Sequence, residues 1–161
     1  MTDKLKLEQI EQTIGNLKTE LSDASDADEF IKAAEIKEKI LQLEEEHETL
    51  LQKLRTADVQ LELEANNLVR AVLLTQRYRC DENNIRNIQE SAVKQYAFDY
   101  RNAQGLNRLI KEWELSKDDV IKILKEGLSE FTGYTGLQYD INTLSHITLT
   151  HFIEYFLKSN W

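Results

Sequence analysis

"FIKAAEIKEKILQLEEE", residues 30–46, is the stretch on which the fold turns. It reads either as one arm of a dedicated pairing hairpin or as part of an ordinary amphipathic helix. Its apolar positions belong to a longer seam of Ile36, Ile40, Leu43, His47, Leu50, Leu54, Ala57 and Leu61, spaced alternately four and three apart. That narrow stripe is the signature of a helix pairing along one edge. Upstream, Leu7, Ile10, Ile14, Leu17, Leu21 and Ala24 form a second seam of the same kind. Between them, "SDASDADE" (residues 22–29) is predicted to stop the first helix. Ser and Asp there compete for backbone hydrogen bonds, and Asp26 or Asp28 is placed to cap the return.

Neither proline nor glycine occurs between Asp28 and Arg79. The pattern therefore predicts one helix of about 50 residues, on the order of 75 Å long. The N-terminal helix is expected to cover only its first third. The rest then needs a second copy, another protein or the C-terminal domain, and a homodimeric coiled coil is the simplest arrangement. Ile36, Ile40, Leu43, His47, Leu50, Leu54 and Leu61 are the expected oligomerisation residues. His47 reads as a pH-sensitive register element, a ligand or a tolerated polar seam residue. Gly15, in mid-helix at a cost of about 1 kcal/mol against alanine, marks either close packing or nothing.

Phe30, Ala33, Ala34 and Lys37 set one large ring beside two small residues. The small residues permit a tight helix crossing, and Phe30 is expected to plug the turn. With Glu38, Ile40 and Leu43 these residues resemble the second helix of the UVR hairpin, a family found in bacterial excision-repair subunits and some chaperone adaptors. Leu17, Leu21 and Ala24 look similar to its first helix. The resemblance covers about residues 10–45 and implies an antiparallel hairpin used for protein pairing. Lys37 and Glu38 stand where the family has Arg-Asp, and the second helix is predicted to run well beyond the motif.

The 161 residues include five glycines and no proline, with 30% charged and 41% hydrophobic side chains. This favours helical units over strand-rich folds. The fold class expected is all-α, with a helical hairpin and long coiled-coil stalk over residues 1–79 and a small helical C-terminal domain over residues 80–161. No apolar run approaches the roughly 20 residues of a membrane span, no N-terminal stretch resembles a secretory signal, and Cys80 is the single cysteine. An intracellular protein, cytoplasmic or nuclear, is expected.

In the C-terminal half, Asp81 is predicted to cap a helix carrying Ile85, Ile88, Ala92 and Tyr96, with Gly105 closing it. Leu106, Leu109, Ile110 and Trp113 form a short helix. "SKDD" (residues 116–119) opens another, with Val120, Leu124, Leu128 and Phe131 on one face. "TGYTG" (residues 132–136) is a loop, and Leu144 to Trp161 reads as a last helical face through Ile147, Phe152, Ile153, Phe156 and Leu157. Nine of the 13 aromatic residues lie from Tyr100 onward, which points to a compact C-terminal core.

Chemistry-bearing patterns are sparse. His146 and His151 lie five apart, separated by about 140° around a helix, so no metal site is expected. Asp81 and Glu82 beside Cys80 disfavour a reactive thiolate. No phosphate loop, zinc-protease motif or nucleophile elbow occurs, so neither catalytic residues nor a cofactor are expected, and the chain reads as not an enzyme. Residues 109–127 have a helix–turn–helix outline, but Asp118 and Asp119 open the second helix where phosphates would approach, and Glu114 occupies the turn position that usually prefers glycine.

Net charge is -9 overall, yet residues 68–111 carry eight basic and four acidic side chains. Arg70, Arg77, Arg79, Arg86, Lys94, Arg101, Arg108 and Lys111 interleave there with Tyr78, Tyr96, Phe98 and Tyr100. The segment reads as a solvated face paired with local acids, or as a docking surface, for an acidic protein sooner than for nucleic acid. Tyr96, Tyr100, Arg101 and Arg108 are the expected partner-binding residues. The sequence thus points to a non-catalytic coiled-coil adaptor or scaffold that self-associates or pairs with another coil and docks a protein through its C-terminal domain. The alternative is a nucleic-acid-associated repair or regulatory factor using the UVR-like hairpin and segment 70–111.

Overall fold

A computed structural model describes residues 2–27, 29–159 and 161. Among the described residues the protein is all-α apart from one small β-hairpin, and it divides into two compact units, Met1–Cys80 and Asp81–Trp161.

The N-terminal unit is built on an antiparallel pair, α1 (Asp3–Asp26) and α2 (Phe30–Leu54). Thr2 caps α1 by accepting from the Leu5 amide at 3.3 Å. The two seams face each other, with Ala24, Ala33, Ile36 and Ile40 buried together and Ile14, Leu17 and Leu21 packed on them. A ladder of polar contacts follows the pair down its length: Lys18–Glu44 at 3.7 Å, His47–Glu11 at 2.9 Å and Lys53–Asp3 at 2.7 Å. Covering by α1 is therefore not limited to the first third of the second helix, as expected from sequence, but reaches past its end, where Lys4 meets Asp58 at 3.1 Å. Of the expected oligomerisation residues, Ile36, Ile40 and Leu54 are buried within the chain, Leu43, His47 and Leu50 are half-buried, and Leu61 is 65% exposed. The seam is turned onto α1 of the same chain.

Other details of the hairpin differ from expectation. Phe30 does not plug the turn, since its ring is 72% exposed. Ala33 serves the crossing while Ala34 faces solvent. The α2 cap position falls on Glu29, which makes no side-chain cap bond, and the expected cap Asp28 lies outside the described residues. A Cβ on Gly15 would meet nothing within 4 Å, so this glycine does not mark close packing.

The predicted 50-residue helix is interrupted. After α2 a π-helical turn (Arg55–Val59) leads into α3 (Gln60–Glu64), and the chain then breaks at Ala65–Asn67 before α4 (Leu68–Arg77). The continuous part, Phe30 to Glu64, is about 50 Å long at 1.5 Å per residue. The break is a left-handed C-cap: Asn66 sits at φ 60°, its amide reaches the Leu63 carbonyl at 3.0 Å, and the Asn67 amide reaches that of Glu62 at 2.9 Å. The π turn carries Arg55 and Asp58 to the end of α4. There Arg55 donates to the Tyr78 and Arg79 carbonyls, each at 2.7 Å, and the buried Tyr78 hydroxyl donates to Asp58 at 2.9 Å. Arg77 also pairs with Glu8 at 3.0 Å. These bonds tie α4 to the base of the hairpin.

The C-terminal unit begins with α5 (Glu82–Lys94), capped by Asp81, whose carboxylate accepts from the Asn83 and Asn84 amides. A second π turn (Gln95–Asp99) extends it. Then come α6 (Ala103–Glu112), α7 (Lys117–Glu130), a hairpin of β1 (Gln138–Asp140) and β2 (Ser145–Ile147), and α8 (Leu149–Lys158). Ser116 caps α7 by accepting from the Asp119 amide at 3.1 Å, and Asp119 pairs with Arg86. Its main core cluster includes Val93, Phe98, Leu106, Leu124, Phe152 and Phe156. Two expectations change here. Residues 145–147 form a strand, not the start of the last helix, because Thr148 caps α8 by accepting from the His151 amide. Gly105 does not close the preceding helix. It lies in the first turn of α6, where a Cβ would sit 2.7 Å from the Tyr96 ring.

Candidate docking groove

The corner between the second π turn and α6 positions the most distinctive surface of the C-terminal unit. Tyr100 ends the π turn, Arg101 takes a left-handed backbone at φ 47°, and Asn102 caps α6 by accepting from the Gly105 amide at 2.9 Å. The sharp turn sends the Arg101 side chain inward. Its guanidinium donates to the Ile147 carbonyl at 3.1 Å and the Tyr134 carbonyl at 3.3 Å, and it lies 5.6 Å from the Tyr134 ring centre. Arg101 is only 9% exposed, and burial lowers its pKa from the ordinary guanidinium value. It thus acts as a clamp between the α5–α6 corner and the β-hairpin, a placement that sequence reasoning, which put it on the docking face, did not reach.

The hairpin stands on this clamp. Its strands pair antiparallel, with Gln138 opposite Ile147, Tyr139 opposite His146 and Asp140 opposite Ser145. Ile147 and Asp140 are the buried positions of the two strands. Asp140 closes the turn by accepting from the Thr143 amide at 2.7 Å. The Tyr139 and His146 rings meet edge to face at 5.4 Å.

Between corner and hairpin runs an open groove of 390 Å³, walled by residues 100–104 on one side and 138–142 on the other. Tyr100 and Tyr139 are each about half exposed, and Ile141 is 74% exposed. The charged residues in its walls, Arg101 and Asp140, are both buried and hydrogen-bonded. What remains at the surface is tyrosine, isoleucine and the side-chain amides of Asn102, Gln104, Gln138 and Asn142. Such a lining suits contact and hydrogen bonding.

The four expected partner-binding residues separate. Tyr100 and Arg101 line the groove, Tyr100 by its ring and Arg101 from beneath. Tyr96 is half-buried on the core and meets Tyr100 edge to face at 5.4 Å, so it supports the groove from behind. Arg108 is exposed on α6, away from the lining. Sequence reasoning missed the other wall, Tyr139 and Ile141. The available signal was the alternation of side chains near "QYDINTLSHI" (residues 138–147), which breaks the helical period.

The basic segment does not form a single interleaved stripe. Tyr78 and Phe98 are buried, Arg70, Arg77 and Arg86 pair with Glu62, Glu8 and Asp119, and Arg70 to Arg79 belong to a different unit from Arg86 to Lys111. The helix–turn–helix outline is present as α6 and α7, and Glu114 takes φ 51° at the turn. Leu109, Leu115, Val120 and Ile123 are all buried. Among the described residues, no cluster of three His, Cys, Asp or Glu side chains is placed to hold a metal, and no helix is long and apolar enough to cross a membrane. No family model, curated protein or solved structure matches the chain.

Proposed function

We propose that the chain is a non-catalytic interaction protein, an adaptor or scaffold subunit whose C-terminal unit docks a protein partner in the groove between the α5–α6 corner and the β-hairpin. The observation that carries this reading is the exposure of Tyr100, Tyr139 and Ile141 around one cleft. Aromatic side chains held on a rigid frame offer contact area at low entropic cost. The UVR-like hairpin adds a protein-pairing module in the N-terminal unit. Self-association along its seam draws less support, because most of that seam is covered by α1. The nucleic-acid reading also draws less, because Arg70, Arg77 and Arg86 are engaged by carboxylates and Arg101 is buried, which leaves fewer of the segment's cations for phosphates.

The test is affinity capture from the native source with the full chain and with a Tyr139→Ser/Ile141→Ser variant. A stoichiometric protein held by the first through a high-salt wash and lost by the second supports the reading. Equal capture by both, or nucleic acid alone eluting at low salt, rejects it.

A further inference from the structure

The groove follows one strand of the hairpin. All three residues of β1 line it, whereas none of β2 does. The sheet has two strands, so β1 pairs on one side with β2 and has no partner strand along its other edge. Among the described residues, β1 backbone groups make no backbone hydrogen bond outside this pairing. A two-stranded sheet in water is marginal by itself, and an open strand edge is a template for another chain.

The chemistry of the cleft narrows the occupant. In a chain with 30% charged residues, the groove shows no exposed charge, since Arg101 and Asp140 are both turned to internal bonds. A charged side chain pressed into it would lose hydration without gaining a counter-ion. An extended backbone, by contrast, meets a strand edge on one wall and the amides of Gln104, Gln138 and Asn142 around it. Tyr100, Tyr139 and Ile141 then offer apolar contact to alternate side chains of the added strand.

Resting on the docking reading above, we infer that the groove takes an extended, uncharged peptide segment of the partner, which adds to the free edge of β1 as a third strand. This differs from the acidic partner expected from the basic segment, because the arginine nearest the groove is spent on the Ile147 and Tyr134 carbonyls.

The probe is a display library of random twelve-residue peptides panned on the full chain, with Tyr139→Ser/Ile141→Ser as the counter-target and circular dichroism confirming that the variant is folded. The expected binders are uncharged over a four- to five-residue core and change affinity less than twofold between low and high salt. N-methylation of core amides weakens them at least tenfold by removing backbone donors. Binders that need Tyr139 and Ile141 but are charged, or tolerate N-methylation at every core position, overturn strand addition and leave the docking reading standing. A library that yields no binder dependent on Tyr139 and Ile141 overturns both.

Discussion

The N-terminal unit holds a pair of helices along a seam one stripe wide, with polar side chains bridging its flanks, whereas the C-terminal unit wraps α5 to α8 around a shared cluster of 14 buried residues. The same helix-forming chain thus solves burial in two ways. A narrow stripe buries little area per residue and leans on cross-links at the base, where Arg55 and Asp58 of the π turn bond to Tyr78 and Arg79 and Asp58 meets Lys4 of α1. A shared core buries Phe152, Ile153 and Phe156 almost completely, which gives the groove a firm frame.

The contrast is sharpest for large-to-small substitutions. Phe152→Ala is expected to cost about 3–5 kcal/mol, and Ile36→Ala about 2 kcal/mol, at the low end for such changes, because neighbours at the edge of the stripe can relax. Urea unfolding followed separately by probes in each unit measures both, and equal losses would remove the distinction.

Next in size is the base of the hairpin. Tyr78→Phe removes a buried hydroxyl from Asp58 and is expected to cost about 1–2 kcal/mol. It also carries a pH signature. Burial, with the bond to Asp58, raises the Tyr78 pKa above its ordinary 10.0, and the Asp58 bond raises that of Lys4 above 10.5. The folded state keeps these protons longer than the unfolded one, so their contribution is complete below about pH 10 and is lost as pH rises through the folded values. Titrating stability from pH 8 to 12 should show this alkaline loss in the native protein and a shallower one in Tyr78→Phe.

Comparable in size are the glycines. Gly15→Ala is expected to stabilise the hairpin by about 1 kcal/mol, since the added Cβ meets nothing. Gly105→Ala is expected to destabilise the C-terminal unit by about 1–3 kcal/mol through contact with the Tyr96 ring. Thermal melts report both signs, and a stabilising Gly105→Ala would contradict the close packing at the α6 corner.

The sequence made much of this architecture legible. The seams placed α1 and α2, and the capping residues Asp81 and Ser116 began α5 and α7 where expected. Helix ends were harder, for a specific reason. Asn66, Arg79, Arg101 and Glu114 each take a left-handed C-cap conformation, while none of the glycines does. The usual marker of a helix end is therefore missing at all four, and a seam with no visible stop was extended across the break at Asn66. The exposed turn position of Glu114 offers the smallest test: Glu114→Gly should stabilise by about 0.5–1 kcal/mol by relieving the left-handed backbone, read as a rise in melting temperature.

The groove was half legible. Tyr100 and Arg101 stood out as an aromatic beside a base, but charge alone could not show that Arg101 turns inward. Its left-handed backbone and the Ile147 and Tyr134 carbonyls decide that. Tyr139 and Ile141 were harder to find because the alternation around a three-residue strand between helices is too short to stand out as a period.

The most direct test of docking at this groove is site-specific photo-cross-linking in cells of the native source, with a benzoylphenylalanine replacing Tyr139 and, in a separate protein, exposed Lys125 on α7. The expected result is a discrete protein adduct at position 139 and none at 125. Equal adducts at both positions, or adducts to nucleic acid at 139, would contradict the account.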